Sequence, residues 1–221
     1  MDPILVIALF AGLFLVTHLA LPHPPLRAAL VARLGAGAYL GLYSLISFAT
    51  LIPLTVSWWG ARHQGPVLWM LRGGPVGHAV ELIVLLGFGF MVAGTVRPAP
   101  SSIATTMQGL PMEARGLSQI TRHPLMMGVS LWAAGHLVVN GWLTDVLFFG
   151  TMLLTGILGA MHQDHRKAAA NPAYAAVVAE TSFFPNPLRL GALDAQSWGA
   201  LAAGVGVGLV LRVFHAPLFG G

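Results

Sequence analysis

Six stretches of this chain carry no more than one Asp, Glu, Lys or Arg each, at 3–21, 37–58, 77–96, 123–140, 142–161 and 196–214. Each is close to the ~20 residues that a helix needs to cross roughly 30 Å of hydrocarbon at about 1.5 Å per residue. Backbone N–H and C=O groups find no water at that depth, so each stretch must close its hydrogen bonds within itself, as a helix. The expectation is an all-α, polytopic transmembrane helix bundle of about six spans, one unit over residues 1–221, with the lipid bilayer as its surroundings. Charge content agrees. Only 8% of the 221 residues are charged, against about a quarter in soluble domains, which is too few to clothe a water-facing surface.

The Lys and Arg residues then read as topology. Segments 21–36, 97–122 and 162–195 hold Arg27, Arg33, Arg97, Arg115, Arg122, Arg166, Lys167 and Arg189, whereas the other side holds Arg62, Arg72 and Arg212. The excess places the first group in the cytoplasm and both termini outside, which is the periplasm if the membrane is a bacterial inner membrane. The net charge of +4 and pI near 10.4 are absorbed by that asymmetry. With no strand pattern and no base-reading motif, a nucleic-acid partner is not expected. There is no Cys, so thiolate metal sites and disulfides are excluded. Walker A, G-x-G-x-x-G, H-E-x-x-H and G-x-S-x-G patterns are missing as well.

Between the spans, "GARHQGPVLWMLRGGPVGH" reads as an interfacial loop with a short helix lying on the membrane, and 97–121 as a polar linker. "HQDHRKAAANPAYAAVVAETSFFPNP" has amphipathic helical character. "NGW" at 140–142 leaves almost no loop between the fourth and fifth stretches, which predicts a tight helical hairpin. "GALAAGVGVGLVL" in the last stretch offers small residues for close packing on another helix.

Nine histidines are the unusual feature, because ionisable groups at membrane depth are costly and mark sites. His18 falls inside the first stretch. In "ITRHPLMMGVSLWAAGH", Arg122 and His123 precede a helix that starts at Pro124, and His136 follows thirteen residues later. "RHP" is either a helix entrance or an anion site at a helix N-terminus. His123 and His136 stand roughly 20 Å apart along one helix, so they cannot share one ion directly. His78 and Glu81 fall on one helix face. His162, Asp164, His165 and Arg166 read as a solvated charge cluster after a span. His23, His63 and His215 receive no role on physical grounds.

These residues resemble the NnrU family over nearly the whole chain. "THLALPHPPLRAALVARLGAGAYLGLYSLISFATL", "GLSQITRHPLMMGVSLWAAGHLVVNG" and "ETSFFPNP" are similar to its opening, centre and tail, while "DHR" departs from its usual D-R-R. The family's association with nitrite and nitric oxide reductase gene clusters implies a denitrification setting. The related plant cis-zeta-carotene isomerases imply haem b held by histidines and a redox-linked isomerase role on a polyene or other apolar small molecule. Residue by residue, the resemblance implies His18 and His136 as metal ligands, with His123, His78 and Arg122 as further cofactor-binding positions. By depth alone, His78 with His136, or His18 with His123, is the easier pair. Two other classes stand beside this one. One is a non-catalytic accessory protein for a nitrogen-oxide reductase. The other rests on a shorter similarity, R-H-P before a hairpin, to isoprenylcysteine carboxyl methyltransferase-like enzymes, where S-adenosylmethionine would meet Arg122.

Overall fold

A computed structural model describes residues 2–216. The outermost ends of the expected single unit, Met1 and residues 217–221, lie outside the described residues. Helices run Pro3–Ala20 (α1), Pro24–Leu34 (α2), Ala36–Gly60 (α3), Gly74–Val96 (α4), Ile103–Met107 (α5), Pro124–Val139 (α6), Leu143–Ala170 (α7), Pro172–Glu180 (α8) and Ala195–Val213 (α9). Short 3-10 turns lie at Gly116–Gln119 and Pro187–Ala192. No strand occurs among the described residues beyond an isolated bridge between Val67 and Trp142. Five helices, α1, α3, α4, α7 and α9, are long and apolar enough to cross a membrane, and α6 is a shorter apolar helix. Its 16 residues reach about 24 Å, less than a full hydrocarbon thickness. The fold is therefore the expected all-α bundle of an integral membrane protein, with one of the six spans short.

Local chemistry sets the helix starts. Asp2 accepts from the Ile4 amide at 2.8 Å ahead of Pro3, and Asp194 accepts from the Ser197 amide at 2.8 Å. Both satisfy N–H groups that a helix start leaves free. The hairpin at 140–142 forms as expected. It is closed by the loop before α4, where the Leu68 amide donates to Gly141 and the Leu143 amide to Pro66. A Cβ at Gly141 would collide with the Trp69 backbone, so only glycine lets the two chains touch.

α7 runs through the centre, packed on α1, α3 and α6, while α4 packs on α6 and α9. The α1–α3–α7 group has a core of Ile7, Phe14, Leu54, Trp58, Phe148 and Phe149. The second core, between α4, α6 and α9, gathers Phe90, Leu117, Ile120, Met127 and Leu201. Glycines make its closest approaches. A Cβ on Gly204 would come within 2.5 Å of the Phe88 carbonyl oxygen. The small-residue run of the last span thus packs backbone to backbone on α4, as its composition suggested. Leu9, Leu45, Phe48, Leu82, Leu86 and Val210 are exposed on the outer surface, where acyl chains rather than water meet them.

Three connecting segments differ from expectation. Residues 61–73 contain no helix, because their backbone is spent on the hairpin contacts above. The 97–121 segment is not a solvated linker: Ser101, Thr105, Ser118 and Thr121 are buried, and their hydroxyls bond backbone carbonyls at 2.6 Å or less. α7 runs nine residues past the expected end of its span, carrying "HQDHRK" in one unbroken helix down to the Asn171–Pro172 stop.

Candidate functional site

That extension of α7 builds the most connected polar centre among the described residues. Asp164 is 8% exposed. It accepts from Arg122 Nε at 2.6 Å, pairs with His123 Nε2 at 2.6 Å and accepts from the Tyr174 hydroxyl at 2.6 Å. Arg122 Nη1 also donates to the Thr181 carbonyl at 2.7 Å, and the Arg122 amide to Ser182. A buried carboxylate is costly unless its lone pairs are matched, and here three side chains match them. Burial, and then the neighbouring carboxylate, push the Tyr174 hydroxyl far above its usual range, so it stays a neutral donor. Of the cluster expected to be solvated, Asp164 is instead buried as the centre of a hub, while His165 is exposed and His162 and Arg166 are half-buried. The hub pins α6, α7 and α8 together and holds the His123 ring with Nε2 against the carboxylate.

Next to this hub lies a cavity of about 760 Å³, within the ~300–1,000 Å³ typical of small-molecule and cofactor sites. Its walls come from α1 (His18), α3 (Tyr39, Tyr43, Ser44), the α5 segment (Ile103, Met107), α6 (His123, Leu125, Met126) and α7 (Thr155, His162, Arg166, Lys167), with Arg27 from α2. Three buried side-chain atoms among the described residues lack a hydrogen-bond partner: His123 Nδ1, Thr155 Oγ1 and Arg166 Nε. All three belong to residues lining this one cavity. Buried polar atoms are nearly always satisfied, so their convergence marks where a ligand completes the structure. His18 Nδ1 bonds the Phe14 carbonyl at 3.0 Å, and its ring packs against Phe14 and Tyr43. With Nδ1 donating, Nε2 carries the lone pair, which is the arrangement a metal-binding imidazole needs.

A second cluster sits at the opposite end of the bundle. Asp145 is fully buried, accepts from Trp58 Nε1 at 2.8 Å and pairs with His63 Nδ1 at 2.6 Å. His63 has a left-handed backbone, φ 55°, a strained state for a non-glycine residue. His136 bonds the Trp132 carbonyl at 2.8 Å and stacks on Phe149 with ring centroids 4.6 Å apart. His215 lies 6.4 Å from the His136 ring, and burial lowers its basicity. No group of three or more His, Asp or Glu among the described residues is arranged to hold a metal ion.

The positions expected from sequence therefore divide. His18 and His123 line one cavity. His136 stands at the other end of α6, so the His18–His136 pairing implied by resemblance is not brought together in this structure. His78 is exposed, and its expected partner Glu81 instead meets Arg212 at 3.1 Å. Arg122 does not wait for an external anion, because Asp164 and Thr181 occupy its donors. Sequence reasoning passed over Asp164, Tyr174, Asp145 and His63. For Asp164 a signal existed: Gly156, Ala160 and Asp164 recur at four-residue spacing and are all buried on one face of α7.

No curated protein and no solved structure matches this chain. A family model described as "NnrU protein" matches residues 4–221, and with nearly the whole sequence covered, the chain belongs to the NnrU family.

Proposed function

We propose that this membrane protein holds haem b in the cavity beside the Asp164 hub, where His18 would bind its iron, and serves a redox-linked reaction on an apolar substrate drawn from the bilayer. The observation that carries the reading is the cavity's donor set. One imidazole has Nδ1 tied to a backbone carbonyl and Nε2 left free, and a second, His123, leaves Nδ1 without a partner. Apolar walls and three cations, Arg27, Arg166 and Lys167, complete the lining. A flat apolar macrocycle with two carboxylates has that chemistry. Bound haem would supply an iron that changes valence.

The chain's own residues do the rest. The Phe14 carbonyl fixes the orientation of the His18 ring and leaves Nε2 toward the cavity as the ligating nitrogen. Asp164 selects the His123 tautomer whose Nδ1 accepts a hydrogen bond from within the cavity. Arg122 and Tyr174 hold the Asp164 carboxylate in place, and the carboxylate fixes the orientation of the His123 ring. α3 packs on α1 and α7, and α4 on α6 and α9. The residues lining the cavity from α3 and α6 therefore stand on separate helix groups, which suits entry from the lipid side. The basic end, which holds this cavity, faces the cytoplasm by the Lys/Arg asymmetry, and both chain ends face the periplasm of a bacterial inner membrane.

Protein purified from haem-replete cells should show a Soret band that shifts on reduction with dithionite, and about one haem per chain by pyridine haemochrome assay. A colourless preparation would overturn the haem reading and favour an accessory role in assembling another complex.

A further inference from the structure

Arg166 raises a question that the hub does not answer. Its Nε is buried without a hydrogen-bond partner, and no carboxylate pairs with the guanidinium among the described residues. The acid two residues earlier, Asp164, is already taken by Arg122, His123 and Tyr174. Another cation, Arg27 on α2, shares the surroundings of Arg166: the two guanidiniums line both the large cavity and a smaller adjoining one of about 270 Å³. Arg27 lies over the face of Tyr39, 5.5 Å from the ring centroid, and forms no ion pair among the described residues. Lys167 adds a third positive charge, donating to the Ser101 carbonyl at 2.5 Å. Three like charges gathered at the edge of a bilayer, one with a desolvated donor, are unfavourable unless an anion sits among them.

We infer that Arg166 and Arg27 form an oxyanion site at the mouth of the cavity, which takes the carboxylate or phosphate head of an amphipathic molecule whose apolar body lies among α1, α3 and α6. Arg166 offers donors in a planar fork suited to two oxygens of one head group. The same chemistry is presented by a porphyrin propionate and by an anionic phospholipid. The inference stands without the haem reading, since it needs no iron and no His18 ligation.

The test uses the full chain, iron-free, in phosphatidylcholine nanodiscs. Zinc protoporphyrin and its dimethyl ester are titrated by fluorescence into wild type, Arg166→Gln and Arg27→Gln. In parallel, phosphatidylglycerol retention from mixed lipids is read by native mass spectrometry. If the head is a propionate, the diacid binds wild type about ten- to a hundredfold more tightly than the ester. Arg166→Gln then removes that preference and leaves ester binding intact, which also shows that the variant is folded. If the head is a lipid phosphate, phosphatidylglycerol is retained by wild type and lost from both variants while porphyrin binding is indifferent to them; the anion site then stands and the haem reading fails. Wild type that neither prefers the diacid nor retains phosphatidylglycerol overturns the inference, and so do preferences that survive both substitutions.

Discussion

At the scale of single residues, the Asp164 hub is the feature with the sharpest consequences. Removing the carboxylate strands Arg122, His123 and the Tyr174 hydroxyl together. Asp164→Ala should therefore lose about 3 kcal/mol or more, a fall of roughly 6–12 °C in thermal midpoint for a chain of this size. A shift below about 2 °C would show that the hub is not needed for stability. Tyr174 makes a pH-dependent prediction. Its hydroxyl is held above the usual value by burial and by Asp164. A raised folded-state pKa stabilises the protein fully below the unfolded value of about 10 and progressively less as pH climbs above it. The advantage of wild type over Tyr174→Phe should thus be complete at pH 8 and shrink between about pH 10 and 11. Parallel melting profiles for the two proteins would count against the assigned environment. His18 and His123 were readable from sequence because an ionisable ring in an apolar stretch is costly wherever it lies. Asp164 was read as solvent-facing, since "DHR" after a span has the composition of a solvated surface and its four-residue spacing from Gly156 and Ala160 is a weak signal. Only the continuation of α7, with no Gly or Pro between 160 and 171, turns Asp164 inward while His165 stays exposed.

At the scale of elements, the spans were legible to within a few residues, except for the nine-residue extension of α7, because the bilayer imposes a length and the backbone imposes a helix. The connections were harder. Loop 61–73 and segment 97–121 take their form from partners far away in sequence, Gly141 and Phe183 among them, and no local pattern announces such partners. Packing between spans depends on glycine at defined positions. Gly204→Val puts side-chain atoms against the Phe88 carbonyl and the Gly89 Cα, both backbone, which can yield only if α9 moves off α4. It should cost about 1–3 kcal/mol and lower the yield of folded protein. Gly206, two residues on, has nothing within 4 Å of an added Cβ, so Gly206→Val should behave as wild type. Equal stability of the two variants, read by size-exclusion profile and melting, would refute the packing described for α9.

At the scale of the whole molecule, the bundle separates two polar centres along its axis. One end holds the Asp164 hub, the cavity and most of the basic side chains, and the other holds Asp145, His63 and His136. Resemblance alone joins His18 to His136, and what separates them is helix direction: α1 ends where α6 begins. His136 then belongs with the Asp145 end, and its loss should leave any cavity-bound group in place. If the basic end faces the cytoplasm, as proposed, an alkaline phosphatase fused after Gly221 should be active; activity confined to a cytoplasm-only reporter would reverse the orientation. The central claim is that haem b occupies the cavity with His18 as ligand, and one measurement bears on it most directly. Oxidised and dithionite-reduced absorption spectra are recorded for wild type, His18→Ala and His136→Ala purified from the same haem-replete host. The account predicts a Soret band that shifts on reduction in wild type and His136→Ala, and its loss or marked displacement in His18→Ala. A spectrum unchanged in His18→Ala, or lost only in His136→Ala, would contradict it.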